Sequence, residues 1–520
     1  MCLLLPPFTY VLAAAIVVFL LYRERKQRNR KVPLPPGPPA DPLINHLRVI
    51  PTKDHPEVYY EWTKTYGDVV YLSALGLSFV ILGSEQAAID LLEKRPLNYS
   101  DRPEFPMHDL IGWTDNLNFL SYGEQFHKMR KLSQQPFTRQ GCLKFREIQI
   151  QQTHVLLKNL LGSPHDFDNH AVRFATAIIT DIAYGHRIVS DDDPYVRMAD
   201  QVAEIALQSG NFGTNLVDIF PILKNLPSWF PGAWFIRFGE GDDYARKIVQ
   251  RMRDWPFQEV QQKLAVGTAR TSFLSMHLED FAREGVKSPK DFQDLKVATS
   301  LLSQAGGETT SSGLLLFIFA MLRHPEAQKK AQEEIDRVVG KRRLPDFSDR
   351  ELLPMVECVM QETFRLYHPI PLGVPHRSRE DDVYNGMFIP KGSIVVANAM
   401  SMSYDEKIYA DPHRYWPERY LPKPHGNGEP YPTSMFGFGR RVCPGKHLAD
   451  ASLWVAISNI LATFQISPIR DEHGNDMVPP REFDTGATRR PKPFKCEIRV
   501  RNPAAETLIQ NAYQDMLRGL

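Results

Sequence analysis

The segment Phe436-Gly437-Phe438-Gly439-Arg440-Arg441-Val442-Cys443-Pro444-Gly445 is the most informative stretch of the sequence. Its glycines let the backbone approach a flat molecule closely, and its arginines can pair with anionic groups. Cys443 directly precedes a predicted helix at residues 446–464, whose dipole and backbone N–H groups should lower the pKa of the thiol. A buried structural cysteine after a glycine-rich turn is the alternative, whereas a zinc site that includes His447 lacks a second pair of ligands.

Outside this loop, the sequence predicts a mainly α-helical chain with small β-sheets. Apolar spacing and terminal signals predict helices at residues 291–322, 327–339, 354–367 and 446–464. The runs 69–72 and 78–82 predict a β-hairpin, and residues 382–397 predict further small β structure. No internal repeat or long Ser/Gly linker interrupts the chain, so we expect one domain rather than the roughly three that 520 residues allow.

The composition excludes several classes of protein. The chain has 62 Lys+Arg against 61 Asp+Glu, and 43% of its residues are hydrophobic, which is typical of a globular protein rather than a disordered one. Because the charge is balanced and no long basic tract follows the N-terminus, we expect no nucleic-acid partner. The five cysteines are scattered and odd in number, which argues against a disulfide framework and favours a reducing compartment.

The N-terminus carries the pattern of a membrane anchor. Residues 3–22 contain no charged side chain, and twenty helical residues span about 30 Å, the thickness of a bilayer core. The basic run at 23–31 predicts that the rest of the chain lies in the cytosol, and the lack of positive charge before the apolar run disfavours a cleaved signal peptide. The expected organisation is a transmembrane anchor with its basic stop at 1–31, a stiff proline-rich hinge at 32–40, a catalytic domain at 41–503 and a C-terminal tail at 504–520.

The segment around Cys443 resembles the cysteine loop of the cytochrome P450 haem-thiolate monooxygenases, F-x-x-G-x-R-x-C-x-G, at every fixed position. Three more family motifs occur in the expected order. Glu362-Thr363-Phe364-Arg365 is similar to the E-x-x-R motif, and residues 305–310 are similar to the oxygen-activation motif. Pro417-Glu418-Arg419-Tyr420 resembles the P-E-R-F segment, with Tyr420 in place of Phe. The resemblance covers essentially residues 1–501 and implies the cytochrome P450 fold.

The resemblance also implies a cofactor, haem b, with Cys443 as the thiolate ligand of its iron. Phe436 and Gly439 belong to the cofactor-binding loop, and the implied partners of the haem propionates are Arg130, His376 and Arg441. The motif that contains Arg130 usually begins with Trp, where this chain has Phe126, so one indole hydrogen bond is not expected. Glu362, Arg365 and Arg419 correspond to a structural triad.

Glu308 and Thr309 are the implied catalytic residues, which deliver protons to bound dioxygen. Gly306 and Gly307 are costly inside a helix, so we expect a local distortion there. A run of hydroxyl side chains that bond back to the helix is the alternative interpretation of residues 309–312. The acidic residue directly before Thr309 favours the catalytic role.

The implied activity is monooxygenation of a small apolar substrate with O₂. Electrons would come from NADPH through a separate NADPH–cytochrome P450 reductase, which docks on a basic face formed by Lys128, Lys131, Arg440 and Lys446. The resemblance implies a monomer in the endoplasmic reticulum membrane, with a single transmembrane pass and a cytosolic catalytic domain.

The resemblance is greatest to fungal enzymes of secondary metabolism, including the O-methylsterigmatocystin oxidoreductase and tryptamine hydroxylase types. A terpenoid is the expected substrate. The alternatives are a polyketide, an aromatic or indole alkaloid, or a non-oxidative haem-thiolate isomerase activity. The stretches expected to face the substrate are residues 113–120, 303–309, 370–374 and 486–488.

Overall fold

The computed structural model of the chain describes residues 32–42, 44–51, 53–74, 76–190, 192–210, 215–240, 245–286, 288–484 and 486–518. The predicted transmembrane anchor at residues 1–31 lies outside these residues. Within them the protein is mainly α-helical with small β-sheets, as the sequence predicts.

The helices and the strands, each numbered along the chain, have the following bounds. The α-helices are α1 (His55–Tyr66), α2 (Glu85–Ala88), α3 (Pro96–Tyr99), α4 (Pro106–Leu110), α5 (Glu124–Gln134), α6 (Arg146–Gly162), α7 (Phe167–Tyr184), α8 (Pro194–Gln208), α9 (Leu216–Ile219), α10 (Trp234–Glu240), α11 (Ala245–Ala265), α12 (Phe273–Glu284), α13 (Pro289–Arg323), α14 (Pro325–Val338), α15 (Pro354–Leu366), α16 (Ala399–Ser403), α17 (Lys446–Thr463) and α18 (Pro503–Arg518). The strands are β1 (Val69–Ala74), β2 (Leu77–Leu82), β3 (His376–Arg377), β4 (Asp382–Tyr384), β5 (Met387–Ile389), β6 (Ile394–Ala397), β7 (Phe464–Ser467), β8 (Ile469–Arg470), β9 (Asp476–Met477) and β10 (Glu497–Val500).

Helix α13 forms the centre of the fold. It begins with Ser288 in a capping box with Asp291, and Pro289 occupies the first turn, where its missing N–H costs nothing. Residues 313–322, near its C-terminal end, are apolar on all sides and buried, and the helix packs against α7 and α17. Among the described residues, α13 is the one helix long and apolar enough to cross a membrane, but most of it is buried in the fold, as expected of a core helix.

The main sheet has four strands in the order β1-β2-β6-β3. The predicted hairpin is confirmed, since β1 and β2 pair antiparallel with Val69 opposite Leu82. The predicted β structure at 382–397 divides into a separate β4–β5 hairpin and strand β6, which runs parallel to β2. Strand β3 pairs with β6, so the sheet holds His376 on its last strand.

The proline-rich segment is extended, as expected, but it does not act as a free spacer. The Pro36 carbonyl accepts a hydrogen bond from the N–H of Tyr71 at 2.9 Å, and the Pro33 carbonyl accepts one from Phe388 at 2.7 Å. A Cβ atom on Gly37 would lie 2.2 Å from the Tyr71 carbonyl oxygen, so glycine is required for this approach. The segment is therefore docked along the edges of β1 and β5.

The C-terminal tail contains a helix that the sequence analysis missed. Helix α18 packs against α6 and buries Ala505 and Ile509. The four-residue spacing of these side chains is a helical signal that could have predicted it.

Candidate active site

The segment before α17 folds into a tight loop around Cys443. Two 3₁₀ turns, Ser434–Phe436 and Gly439–Arg441, precede the cysteine. The backbone N–H of Cys443 donates to the Phe436 carbonyl at 2.8 Å, which closes the loop. Gly439 has a φ of 57°, and a Cβ atom there would lie 2.2 Å from the Leu92 carbonyl oxygen. The structure thus gives Phe436 and Gly439 backbone roles, and their contact with a cofactor stays a prediction.

The environment of the Cys443 thiol has two opposing effects. The Gly445 N–H and the charges of Arg130 and Lys446 lower its pKa, which agrees with the expected influence of a helix N-terminus. Burial outweighs them and raises the pKa above its usual value, so the expected net lowering is wrong in direction. A metal ion deprotonates a coordinating thiol outright, so the site suits a thiolate stabilised by a metal.

Two buried guanidinium groups lie beside this loop. The side chain of Arg441 donates three hydrogen bonds to backbone carbonyls, those of Ser100 at 2.8 Å, Leu117 at 3.1 Å and Leu120 at 2.6 Å. The side chain of Arg102 does the same with the carbonyls of Asn118 at 2.9 Å, Val374 at 2.6 Å and Pro375 at 2.7 Å. Arg102 was missed in the sequence analysis, because no motif marks it.

His376 and Arg130 lie beside these two arginines, and of the two it is Arg130 that adds a positive charge. His376 Nδ1 donates to the Tyr99 carbonyl at 2.7 Å, and burial together with Arg102 lowers its pKa well below the usual value. Arg130 donates to the carbonyl of Val442 at 2.6 Å and acts electrostatically on Cys443. Burial lowers the pKa of Arg441 to about 10. The structure therefore brings the three predicted propionate partners and Cys443 together.

The cluster carries more positive than negative charge. Within the described residues, Asp101 is the one carboxylate that acts on Arg102 and Arg441. Its oxygens already accept hydrogen bonds from Arg377 and from the Tyr122 N–H, both at 2.9 Å. Buried cations held mainly by carbonyls favour a ligand with anionic groups. The buried thiol and these cations fit haem, which has a thiolate-binding iron and two carboxylates.

Phe126 stands where the family usually has Trp, and its ring contacts Arg441 of the Cys443 loop. The Arg441 guanidinium carbon lies 3.9 Å from the centroid of the Phe126 ring. A cation–π contact of this kind keeps the guanidinium oriented without an indole N–H. The aromatic face is retained while one hydrogen-bond donor is lost.

The predicted catalytic residues lie on α13, and the helix is not distorted around them. It is α-helical throughout, and the Thr309 hydroxyl donates to the Ala305 carbonyl at 2.8 Å. The expected local distortion is therefore wrong. A Cβ atom on Gly306 would lie 2.8 Å from Cγ1 of Ile179, so this glycine is explained by the close contact between α13 and α7. Gly313 similarly lets Leu453 of α17 approach α13.

The Glu308 carboxyl group interacts with Thr488, which lies in the stretch 486–488 that was expected only to face the substrate. The Thr488 side chain hydrogen-bonds to the Glu308 carboxyl group, and Arg490 acts on it electrostatically. Both interactions lower the pKa of Glu308, but burial dominates and raises it above the usual value. A carboxyl group with a raised pKa keeps its proton to a higher pH than an exposed carboxyl group does, which suits a group that passes protons on.

The predicted structural triad is present and fully buried. Arg365 donates to Glu362 at 2.7 and 2.8 Å, and Arg419 donates to it at 3.1 Å. The Tyr420 hydroxyl, which the usual Phe would lack, donates to Glu362 at 2.9 Å. Tyr420 therefore joins the triad as a fourth residue of the same hydrogen-bonded network.

Two cavities are lined by residues of the stretches that were predicted to face the substrate. The larger has a volume of about 1050 Å³, and residues 371–373 and 486–487 of the predicted substrate stretches line it. The smaller has about 40 Å³ and is lined by Ser303, Gln304, Gly307 and Glu308 from a third stretch. Leu117 and Leu120 of the fourth stretch pack against Ala298 and Leu301 of α13.

The residues of the predicted basic face differ in exposure and in their ion pairs. Lys131 and Arg440 are exposed, and Lys446 is half-buried beside His447. Lys128 is also exposed, but it forms ion pairs with Asp291 and Asp294, so two carboxylates of the protein offset its charge.

Comparison with known proteins agrees with this geometry. The family model described as cytochrome P450 matches residues 35–498. The chain is 40% identical to cytochrome P450 monooxygenase 136 of Postia placenta over 488 residues, 93% of this chain and 92% of that protein. It is 38% identical to cytochrome P450 monooxygenase COX2 of Coprinopsis cinerea, with 98% and 97% covered, and 36% identical to cytochrome P450 monooxygenase claT of Ampulloclitocybe clavipes, with 96% and 97% covered.

Proposed function

The chain belongs to the cytochrome P450 family, and on this premise we propose that it oxidises a small apolar molecule, a terpenoid of fungal secondary metabolism, with one oxygen atom of O₂. The observation that carries the proposal is the Cys443 loop beside a buried cluster with surplus positive charge. Haem, when bound, supplies the redox chemistry of O₂ activation, and a cysteine thiolate favours O–O cleavage.

The residues of the chain have separate tasks in this proposal. Cys443 would bind the iron of haem, and Arg102, Arg130, His376 and Arg441 would hold its propionates. Their burial strengthens each electrostatic contact, because the local dielectric is low. Glu308 holds a proton on its carboxyl group, and the Thr309 hydroxyl orients its transfer.

The substrate assignment is supported by the larger cavity. Its volume of about 1050 Å³ is at the upper end of small-molecule sites, and apolar side chains such as Leu72, Phe79, Leu372 and Phe483 line it. Its charged residues are partly paired, as Arg489 is with Glu57. The apolar part of this lining fits an apolar substrate. The lining also contains Asp54, Glu57, Glu482 and Asp484, so the preference for a terpenoid over an alkaloid with a basic nitrogen rests on the family resemblance and not on the cavity.

The proposal is tested by spectroscopy followed by substrate screening. The reduced protein with carbon monoxide should show the absorption band typical of thiolate-bound haem, and its absence would end the proposal. Purified protein with NADPH and a fungal reductase should then be screened against terpenoids, polyketides and indoles under ¹⁸O₂. A product with one ¹⁸O atom supports monooxygenation, whereas a product without added oxygen and without NADPH use supports the isomerase alternative.

Thr309→Ala is expected to uncouple reductant use from product formation. The substitution removes the hydroxyl group but keeps a good helix former, so the fold should persist. We expect product per NADPH to fall about tenfold while NADPH oxidation continues. The matched control is Thr299→Ala, because Thr299 is on the same helix, is buried and bonds back to the Leu295 carbonyl at 2.7 Å. Equal product yields in the two variants would remove Thr309 from the mechanism.

We further propose that the reductase docks on the face formed by Lys131, Arg440 and Lys446. The double variant Lys131→Glu and Arg440→Glu should slow reduction of the haem about tenfold at low ionic strength. Added salt should reduce the difference from the unchanged protein. The exposed Lys341 is the control, and its Lys341→Glu variant should behave as the parent. If reduction is insensitive to both the charge reversals and salt, the docking face is elsewhere.

The proposed setting is the endoplasmic reticulum membrane, with one transmembrane pass and a monomeric, cytosolic catalytic domain. The uncharged run 3–22 and the basic run after it support this topology. Recovery of the full chain in the soluble fraction without detergent would contradict it.

A further inference from the structure

The smaller cavity lies where α7, α8 and α13 meet, and its lining combines apolar and polar side chains. Its volume is about 40 Å³. The polar side chains that line it are those of Thr176, Tyr195, Asp200, Ser303, Gln304, Glu308, Ser311 and Arg490. A cavity of this size has room for one or a few water molecules, since one water needs about 10–15 Å³ of this volume.

Two side-chain oxygens at the cavity need a partner that the protein does not supply. Thr176 Oγ1 and Gln304 Oε1 are buried, and neither has a hydrogen-bond partner within the described residues. An unsatisfied buried polar atom costs about 1–3 kcal/mol, so such atoms in native proteins are normally bonded to water. Both oxygens and the Glu308 carboxyl group line one small space, which meets the requirement of two to four polar partners for a buried water.

The cavity leads to charged groups at the protein surface. Arg490 donates to Asp168 at 2.8 Å, and Asp168 is largely exposed. Asp200 is also exposed and lines the cavity. Arg490 acts electrostatically on both Asp200 and Glu308, so it links the two carboxyl groups.

We propose that this cavity is the proton access site of the enzyme, in which water held by Thr176 and Gln304 connects Asp200 at the surface with Glu308, and Arg490 is the positioning residue. The cavity water gives a proton to the Glu308 carboxylate and takes one from the Asp200 carboxyl group, which bulk solvent reprotonates. No oxidant or reductant takes part in this transfer. The use of the protons rests on the proposed monooxygenase function, but the water site itself does not.

Two features of the site support transfer to Glu308 in particular. Burial raises the pKa of Glu308 and also that of Asp200, while the charge of Arg490 acts on both carboxyl groups in the opposite direction. The Thr488 hydrogen bond fixes the Glu308 carboxyl group at the cavity wall. The remaining charged groups around Arg490 are Asp168 and Asp484, which face it from α7 and from the loop after β9.

The first test is structural and needs no turnover. A high-resolution crystal structure of the haem-loaded protein should show ordered water within hydrogen-bond distance of Thr176 Oγ1 and Gln304 Oε1. In the infrared spectrum of the resting protein, the Glu308 carboxyl band is identified by its loss in Glu308→Gln. Ala203→Leu, which fills the cavity with apolar volume, should remove the water and shift this band to higher frequency. A dry cavity, or a band that does not move, would overturn the proposal.

The second test measures proton delivery. Ala203→Leu, Thr176→Val and Asp200→Asn should each lower product per NADPH about tenfold, less than the effect of losing a direct proton donor. Thr176→Val keeps the side-chain shape, so it replaces Ala203→Leu if the larger residue prevents folding. The control is Asp192→Asn, which makes the same charge change at an exposed residue just before α8 and should leave the yield unchanged. Normal yields in all three variants, with the thiolate-type band and turnover of the parent intact, would refute the access site and leave the monooxygenase function standing.

Discussion

Cys443→Ala is expected to abolish both the thiolate-type carbon monoxide band and turnover. The Cys443 sulfur is the atom of this loop that can bind iron. Burial raises the pKa of the thiol, and a bound metal ion would keep the thiol deprotonated. The protein should still fold, because the hydrogen bond that closes the loop comes from the backbone N–H of residue 443 and not from its side chain. Circular dichroism and the reduced carbon monoxide spectrum measure the two results on one sample.

The control for this experiment is Cys496→Ala. Cys496 is also partly buried, and burial raises its pKa to about 12, so it is a neutral thiol without a chemical role. We expect an unchanged spectrum and unchanged turnover. A thiolate-type band that survives in Cys443→Ala would refute the assignment of the iron ligand.

Glu362→Gln is expected to have the largest effect on stability. Glu362 compensates the buried charges of Arg365 and Arg419, and it also accepts hydrogen bonds from Tyr420 and from the Trp416 N–H. Removal of one partner from a buried ion pair costs about 3–5 kcal/mol, a large share of the 5–15 kcal/mol that stabilises a typical domain. We expect little folded protein and, for what folds, a melting temperature lower by at least about 5 °C.

The matched control is Glu380→Gln, the same substitution in an exposed pair. Glu380 lies 3.7 Å from Lys391, and both side chains are exposed to solvent. Its replacement should leave the melting temperature unchanged, because water screens such pairs. If Glu362→Gln melts at the same temperature as this control, the buried network does not stabilise the fold.

Tyr420→Phe measures the contribution of the Tyr420 hydroxyl to stability separately from that of the two arginines. The substitution restores the residue usual in the family and removes the hydrogen bond to Glu362. Because Glu362 keeps both arginines, the loss should be that of one hydrogen bond to a charged group, about 1.5–3 kcal/mol.

The elements that were predicted correctly depend on local patterns. Helix α13, the β1–β2 hairpin and helix α17 follow from the spacing of apolar residues and from turn signals within short segments. The C-terminal helix α18 carries a similar signal and could have been predicted. The grouping of Arg130, His376 and Arg441 around Cys443 came from matched motifs and not from their spacing along the chain.

By itself the sequence determined the family, the iron ligand to be expected and the helices and hairpin with strong local patterns, because each depends on residues close together in the chain. The tertiary structure decided the rest. Arg102 joins the cationic cluster through the carbonyl of Val374, 272 residues away, and Thr488 reaches Glu308 from another segment. The net direction of the Cys443 pKa and the docking of the proline-rich segment likewise depend on burial and on contacts between distant segments. Desolvation arises only when the chain is packed, and no local pattern encodes it.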